Sequence, residues 1–194
     1  MGELPVLLAR LEAAWRAQNM PIASRLRRGV AEADLRAAWA PHGVTPSQET
    51  VEWFAWHDGA DGEMWSDVLC TPATRLLTVA QSLDAYTSHL VVSGVEELMF
   101  PTWVPVAGTM HGSVVAIGCT ESPSAGGAER GESLVANITE TLEIPDVQYR
   151  PPVTTMVRWW IERHESGTWR WEDGHLVDHA MADPSETERL SGLV

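Results

Sequence analysis

The chain has 194 residues, 44% of them hydrophobic, with 27 acidic against 13 basic residues and a formal net charge of −14. A single domain of this length buries roughly 70% of its unfolded surface, so folding needs no metal or disulfide staple, and the composition argues against disorder along the whole chain. A field of this sign repels phosphate backbones and draws in basic surfaces, which sets nucleic acid aside as a direct partner.

Every basic residue is Arg, which removes Schiff bases, the phosphate-loop lysine and lysine-activated nucleophiles from the available chemistry. The charge is uneven: residues 1–30 hold five Arg and two Glu, leaving a surplus of 17 acids downstream. Cys70 and Cys119 lie far apart, without the close Cys or His spacing of a zinc site, and read as small buried hydrophobes. The start, MGELPVLLARLEAAW, lacks the basic lead-in and cleavage-like end of a secretion signal. No stretch reaches the roughly 18 apolar residues of a membrane span, so the expected location is the cytoplasm. Without a secretion route the Asn137-Ile138-Thr139 sequon carries no weight.

In chain order, Leu4, Leu7, Leu8, Leu11 and Trp15 fall at helical spacing and predict a first helix from Pro5 to Gln18. The stretch Ile22 to Gly29 is basic and irregular. A second helix is predicted over Ala31 to Ala40, with Leu35 and Trp39 inward and a stop before Pro41. The third has the clearest start: Thr45 as N-cap, Pro46 as first helical residue and Gln48 as capping-box partner. Val51, Phe54 and Ala55 would form its inward stripe, and His57, Asp58 and Gly59 would close it, Gly59 in a left-handed turn.

Shorter segments follow. Arg75 to Val79 reads as a strand, and Leu83, Tyr86 and Leu90 as a short helix. Trp103 to Ala107 and Val114 to Cys119 are apolar, β-branched strands around a turn at Gly108 to Gly112. Ser122 to Gly131 is a loop, and Leu134 to Ile138 a further strand. After Pro151 and Pro152, the residues Val153, Met156, Val157, Trp160, Ile161 and His164 repeat at three and four, the mark of an amphipathic helix. TWRWEDGHLVD predicts a hairpin turning at Asp173-Gly174, and beyond Ala180 the polar tail is expected to be flexible. The expected fold class is therefore α+β: N-terminal helices, a central, mostly antiparallel sheet covered on one face, and a C-terminal helix packed on the domain and followed by a short hairpin.

The order of these motifs resembles the SUKH superfamily, the fold of the yeast Smi/Knr cell-wall regulators and of many bacterial immunity proteins. ASRLRRGVAEADLRAA is similar to the family's entry segment, an Arg–Gly pair before a helix. TPSQETVEWFAWHDGAD resembles its signature helix and Asn-Gly or Asp-Gly turn. PTWVPVAGTMHGSVVAIG resembles its central hairpin, and RPPVTTMVRWWIERHESGTW its closing helix. The likeness spans residues 22–172. It departs at Ile117-Gly118-Cys119, where the family usually carries an Asp. The resemblance implies a SUKH-like domain over residues 22–179, with residues 1–21 as a helix within or appended to it and residues 180–194 as a tail. It also implies a non-catalytic protein-binding scaffold. That scaffold is either an immunity-type protein neutralising a basic toxin, often a nuclease, or a regulatory adaptor with no toxin partner. A hydrolase is the remaining alternative.

Other chemistry is thinly marked. Asp58, Asp61, Glu63 and Asp67 lack the alternate spacing of a calcium loop, and His175, Asp178 and His179 form a bare cluster near the tail. The run Gly126 to Gly131 lacks the Lys-Ser/Thr ending of a phosphate loop, and no esterase elbow, dinucleotide fingerprint or zinc-protease helix occurs. No cofactor or metal is expected, and no catalytic residue is assigned. The ten Trp are unusual for this length. Trp39, Trp53 and Trp160 fall on apolar stripes, whereas Trp56 and Trp65 flank the acidic turn, and Trp159 faces away from Trp160. Trp is enriched at binding hot spots, so the candidate partner-binding set is Trp56, His57, Asp58, Asp61, Glu63, Trp65 and Asp67.

Overall fold

The computed structural model describes residues 2–62, 65–93, 102–119, 133, 135–138 and 151–182. Helix α1, Glu3–Ala17, buries Leu4, Leu7, Leu8, Leu11 and Trp15, the stripe that its spacing predicts. It starts two residues before Pro5, because a proline in the first turn removes an N–H that has no helical partner there anyway. The basic stretch contains a single turn, α2 (Ile22–Arg25), and α3 runs Glu32–Trp39 with Leu35 and Trp39 buried. The α-helix stops before Pro41, as expected, and the chain continues through the proline as a 3-10 turn, Ala40–His42.

Helix α4, Gln48–Trp56, begins two residues later than expected. Its N-cap is Ser47 and not Thr45: the Ser47 hydroxyl accepts the Thr50 N–H and lies 3.0 Å from the Thr50 hydroxyl. Thr50, Val51, Trp53 and Phe54 are buried, while Ala55 is exposed, so Trp53 and not Ala55 completes the inward stripe. Gly59 takes the left-handed conformation expected there, φ +70°.

Strand β1 is Thr74–Leu76, shorter than the sequence suggests. Thr78 is drawn out of it to cap α5, Val79–Ser93: Gln81 N donates to the Thr78 hydroxyl, and Thr78 N donates to the Gln81 side chain. Strands β2 (Trp103–Thr109), β3 (Val114–Gly118) and β4 (Val135–Ile138) complete a four-stranded sheet in the order β1-β2-β3-β4, antiparallel throughout. Pro105 lies in an inner strand and is tolerated because the register shifts between Pro105 and Ala107. Along β2, Trp103 to Gly108 are buried without alternation, so this strand is covered on both faces and not on one. Helix α5 packs on β2, with the Ser82 hydroxyl donating to the Pro105 carbonyl.

Helix α6, Val153–Glu165, buries Val153, Val157, Trp160, Ile161 and His164 and packs along α1, which also meets α4. Backbone bonds from Val135 N to Pro151 O (2.9 Å) and from Val153 N to Ser133 O (3.0 Å) join its start to β4. The hairpin β5 (Trp169–Glu172) and β6 (His175–Asp178) turns at Asp173-Gly174, both at positive φ (49° and 81°), as a two-residue turn of this kind requires. A 3-10 turn, His179–Ala182, follows. No described helix is long and apolar enough to cross a membrane. The loop expected at Ser122 to Gly131, Leu134, Glu63 and the tail from residue 183 lie outside the described residues.

Candidate functional site

The expected acidic turn follows α4, and the basic stretch before α3 lies directly against it. Leu26 bridges Ala60, Arg27 N donates to Gly59 O (3.0 Å), Asp61 N to Arg25 O (2.9 Å) and Val30 N to Phe54 O (2.8 Å). Gly29 makes this approach possible: a Cβ there would lie 1.9 Å from Ala55 O. The charges are laced in the same way. Arg27 Nη1 bonds Asp61 at 2.8 Å, its Nε lies 3.5 Å from Asp58, and Arg25 bonds Asp67 at 3.0 Å. The described charges of the turn read from the sequence as acidic are thus a mosaic of opposite signs.

The seven sequence-predicted residues have different situations. Asp58 is largely covered, with its side chain 17% exposed, and its Oδ1 accepts the Val79 N–H at 2.7 Å. Its carboxylate therefore sits at the start of α5, where exposed N–H groups and the helix dipole favour a negative charge. Trp56 is half-buried, packed on Trp15 and Trp53 with centroids 5.8 and 6.1 Å away, and its indole N–H donates to Glu12 at 3.2 Å. His57 Nδ1 lies 2.7 Å from Arg27 O and its Nε2 3.2 Å from the same Glu12 oxygen. Asp61 faces outward, its side chain 73% exposed. Asp67 and the backbone of Trp65 lie in a 3-10 turn, Trp65–Val68, and Glu63 falls outside the described residues. The structure brings Trp56, His57, Asp58 and Asp61 to one corner. It adds Glu12, Arg25 and Arg27, which the sequence reading left out. The signal for the two Arg was the neighbouring block of opposite sign; for Glu12 there was none.

A second polar cluster lies between α1, α6 and the hairpin. His164, 3% exposed, has its Nε2 3.1 Å from the Trp15 indole N–H and 3.0 Å from Cys70 O. Gln18 Nε2 lies 3.4 Å from the His164 Nδ1 and donates to His164 O and Trp169 O at 2.8 and 3.0 Å, while its Oε1 accepts the Trp171 N–H at 3.1 Å. Burial pushes the His164 imidazole below its ordinary range, against a smaller opposing pull from the Cys70 carbonyl. Gln18, His164, Gly167, Arg170, Trp171 and Glu172 line a surface cavity of about 220 Å³.

Both cysteines are free. Cys70 is buried beside Thr74, and burial pushes its thiol up to about 12. Cys119 is half-buried against Thr50, its thiol also raised by burial, so neither is a ready nucleophile. Of the C-terminal cluster, His179 pairs with Glu172 at 3.3 Å and Asp178 accepts the Ala180 N–H, while His175 is exposed. Among the described residues, no three His, Cys, Asp or Glu are placed to hold a metal ion. A scan against models of known protein families and a search of curated proteins each find no match to the chain.

Proposed function

We propose that this chain is a non-catalytic protein-binding domain of the SUKH type, an immunity-type protein that neutralises a basic toxin by occluding it. The observation that carries the binding reading is the charge. The chain holds 27 acids against 13 Arg, a field that steers in a basic partner. The ion pairs described at the α4 corner engage three of those acids, Asp58, Asp61 and Asp67, a small part of the 27. The family part rests on the motif order over residues 22–172. It is supported by the contact of Gly29 with the end of α4, which gives two of those motifs a shared physical purpose. The partner-facing set remains Trp56, His57, Asp58, Asp61, Glu63, Trp65 and Asp67. Among its described members, Asp61 is the most exposed charge, and Asp58 and Trp56 hold the corner in shape.

The test uses a toxin encoded beside this chain's own gene, expressed with and without the chain. Protection of the cell together with a stoichiometric, salt-sensitive complex supports the immunity reading. Unchanged toxicity with no complex sinks it and leaves the regulatory adaptor.

A further inference from the structure

We infer that His164 and Gln18 form a proton-sensitive latch that holds the β5–β6 hairpin against α1. The hairpin register explains the need for a latch. Glu172 pairs with His175 across the turn and Arg170 with Val177, so the outward backbone groups of β5 belong to Trp169 and Trp171. Those groups meet the Gln18 amide: its Nε2 donates to Trp169 O and its Oε1 accepts from Trp171 N, as a neighbouring strand would. One side chain of α1 therefore closes the edge of β5, and its amide must stay in one orientation to do so.

That orientation depends on the ring beside it. His164 faces two donors, the Trp15 N–H and the Gln18 NH₂, and one acceptor, Cys70 O. A neutral imidazole always has one lone pair for a donor. The cation has none: its Nε2–H suits Cys70 O but turns on the Trp15 N–H, and its Nδ1–H turns on Gln18 Nε2. Rotating the Gln18 amide to relieve this would place its oxygen against Trp169 O and His164 O, and its NH₂ against the Trp171 N–H. Protonating His164 thus sets an N–H against the Gln18 nitrogen, 3.4 Å from Nδ1, and loosens the hold of that amide on the hairpin.

The surrounding titratable groups do not rescue the cation. From α1, Arg10 pairs with Glu165 and Glu12 with Arg16, His57 and Trp56. The Cys70 thiol is neutral, and on α6 Arg163 lies over the Trp159 ring. Arg170 and Glu172 share the cavity with His164; they lie 3.8 Å from each other, are 59% and 41% exposed, and Glu172 also meets His179. The cavity itself gives water and protons a route to the ring.

The experiment is amide hydrogen exchange on the whole chain from about pH 7.5 to about pH 5, corrected for the intrinsic pH dependence, with the His164 ring followed by NMR in the same samples. Protection of Trp171 should fall on the order of tenfold as His164 titrates, while Ala116 and Ile117 of β3 keep theirs. His164→Gln, whose amide both accepts from Trp15 and donates to Cys70 O, should remove that pH dependence. Trp171 protection that stays level through the His164 titration overturns the latch, as does a fall shared equally with β3 or one that persists in His164→Gln. The wild-type series decides the question even if the variant does not fold.

Discussion

His57 and His164 stand at equivalent places, just past the end of α4 and in the last turn of α6, and their surroundings make opposite demands. His57 lies between acceptors, the Arg27 carbonyl and the Glu12 carboxylate, with its side chain 18% exposed. His164 is buried between two donors and the Cys70 carbonyl, where burial disfavours its cation. The first belongs to a corner held by charges and backbone bonds near water, the second to a seam held by packing. The corner spreads its stability over many weak contacts, whereas the seam concentrates it on a few groups whose protonation matters.

The largest effect should come where the corner meets the helix backbone. Gly29→Ala forces a Cβ to within 1.9 Å of Ala55 O. Neither side can yield cheaply, because Val30 N is bonded to Phe54 O at 2.8 Å. The expected cost is about 3 kcal/mol, read from urea unfolding. A loss under about 1 kcal/mol would show that the corner is soft and would weaken the contrast with the seam.

Next comes acid. The His164 pKa is depressed in the folded state by burial, so the unfolded chain takes up this proton first. Stability from this group is fully present above the ordinary imidazole range near 6.5, declines as pH falls below it, and levels off once the folded pKa is passed. The slope from this one group is at most ~1.4 kcal/mol for each unit of pH. His164→Gln should remove that part of the slope and leave the carboxylate part at lower pH. Equal slopes in the two proteins would mean that the seam does not sense protons.

These contrasts were only partly legible in the sequence. The stripes of α1 and α6 and the Asp173-Gly174 turn could be read because their signals are local: a period of 3.6 residues, or two residues tolerant of positive φ. The α4 start was misplaced because Thr45 and Ser47 both precede an acceptable cap partner, and spacing alone does not choose between them. The Thr78–Gln81 capping box was present, but extending β1 to Val79 concealed it. The purpose of Asp58 depends on Val79, 21 residues away, and the pairing of Asp61 on Arg27, 34 residues away. No window along the chain carries such contacts. Gln18 and His164 are 146 residues apart, so the seam was invisible except as one histidine on an apolar stripe.

A smaller effect separates support from display within the acidic turn. Asp58→Ala removes the acceptor of the Val79 N–H at the start of α5 and should cost about 1 kcal/mol. Asp58→Asn keeps an oxygen there and should cost only a few tenths. If both variants lose the same amount, charge matters more at this helix start than the hydrogen bond does.

The smallest effect on stability, and the most telling for function, is expected at Asp61. Its carboxylate bonds Arg27 at 2.8 Å, but its side chain is 73% exposed and the Arg27 side chain 43%. Exposed pairs of this kind contribute little, so Asp61→Ala should change unfolding stability by no more than ~0.5 kcal/mol. Binding should respond differently. Removing the accessible acid leaves Arg27 paired with Asp58 alone and weakens the local negative field, so association with a basic partner should slow and lose part of its salt dependence, while dissociation stays nearly unchanged. Asp61→Lys should exaggerate both changes without unfolding the chain. Asp58→Ala, by contrast, acts through α5 and should weaken binding only to the extent that it loosens the fold. Unchanged association kinetics in Asp61→Lys, measured on a folded variant, would move the partner to another face and leave the laced corner as architecture alone.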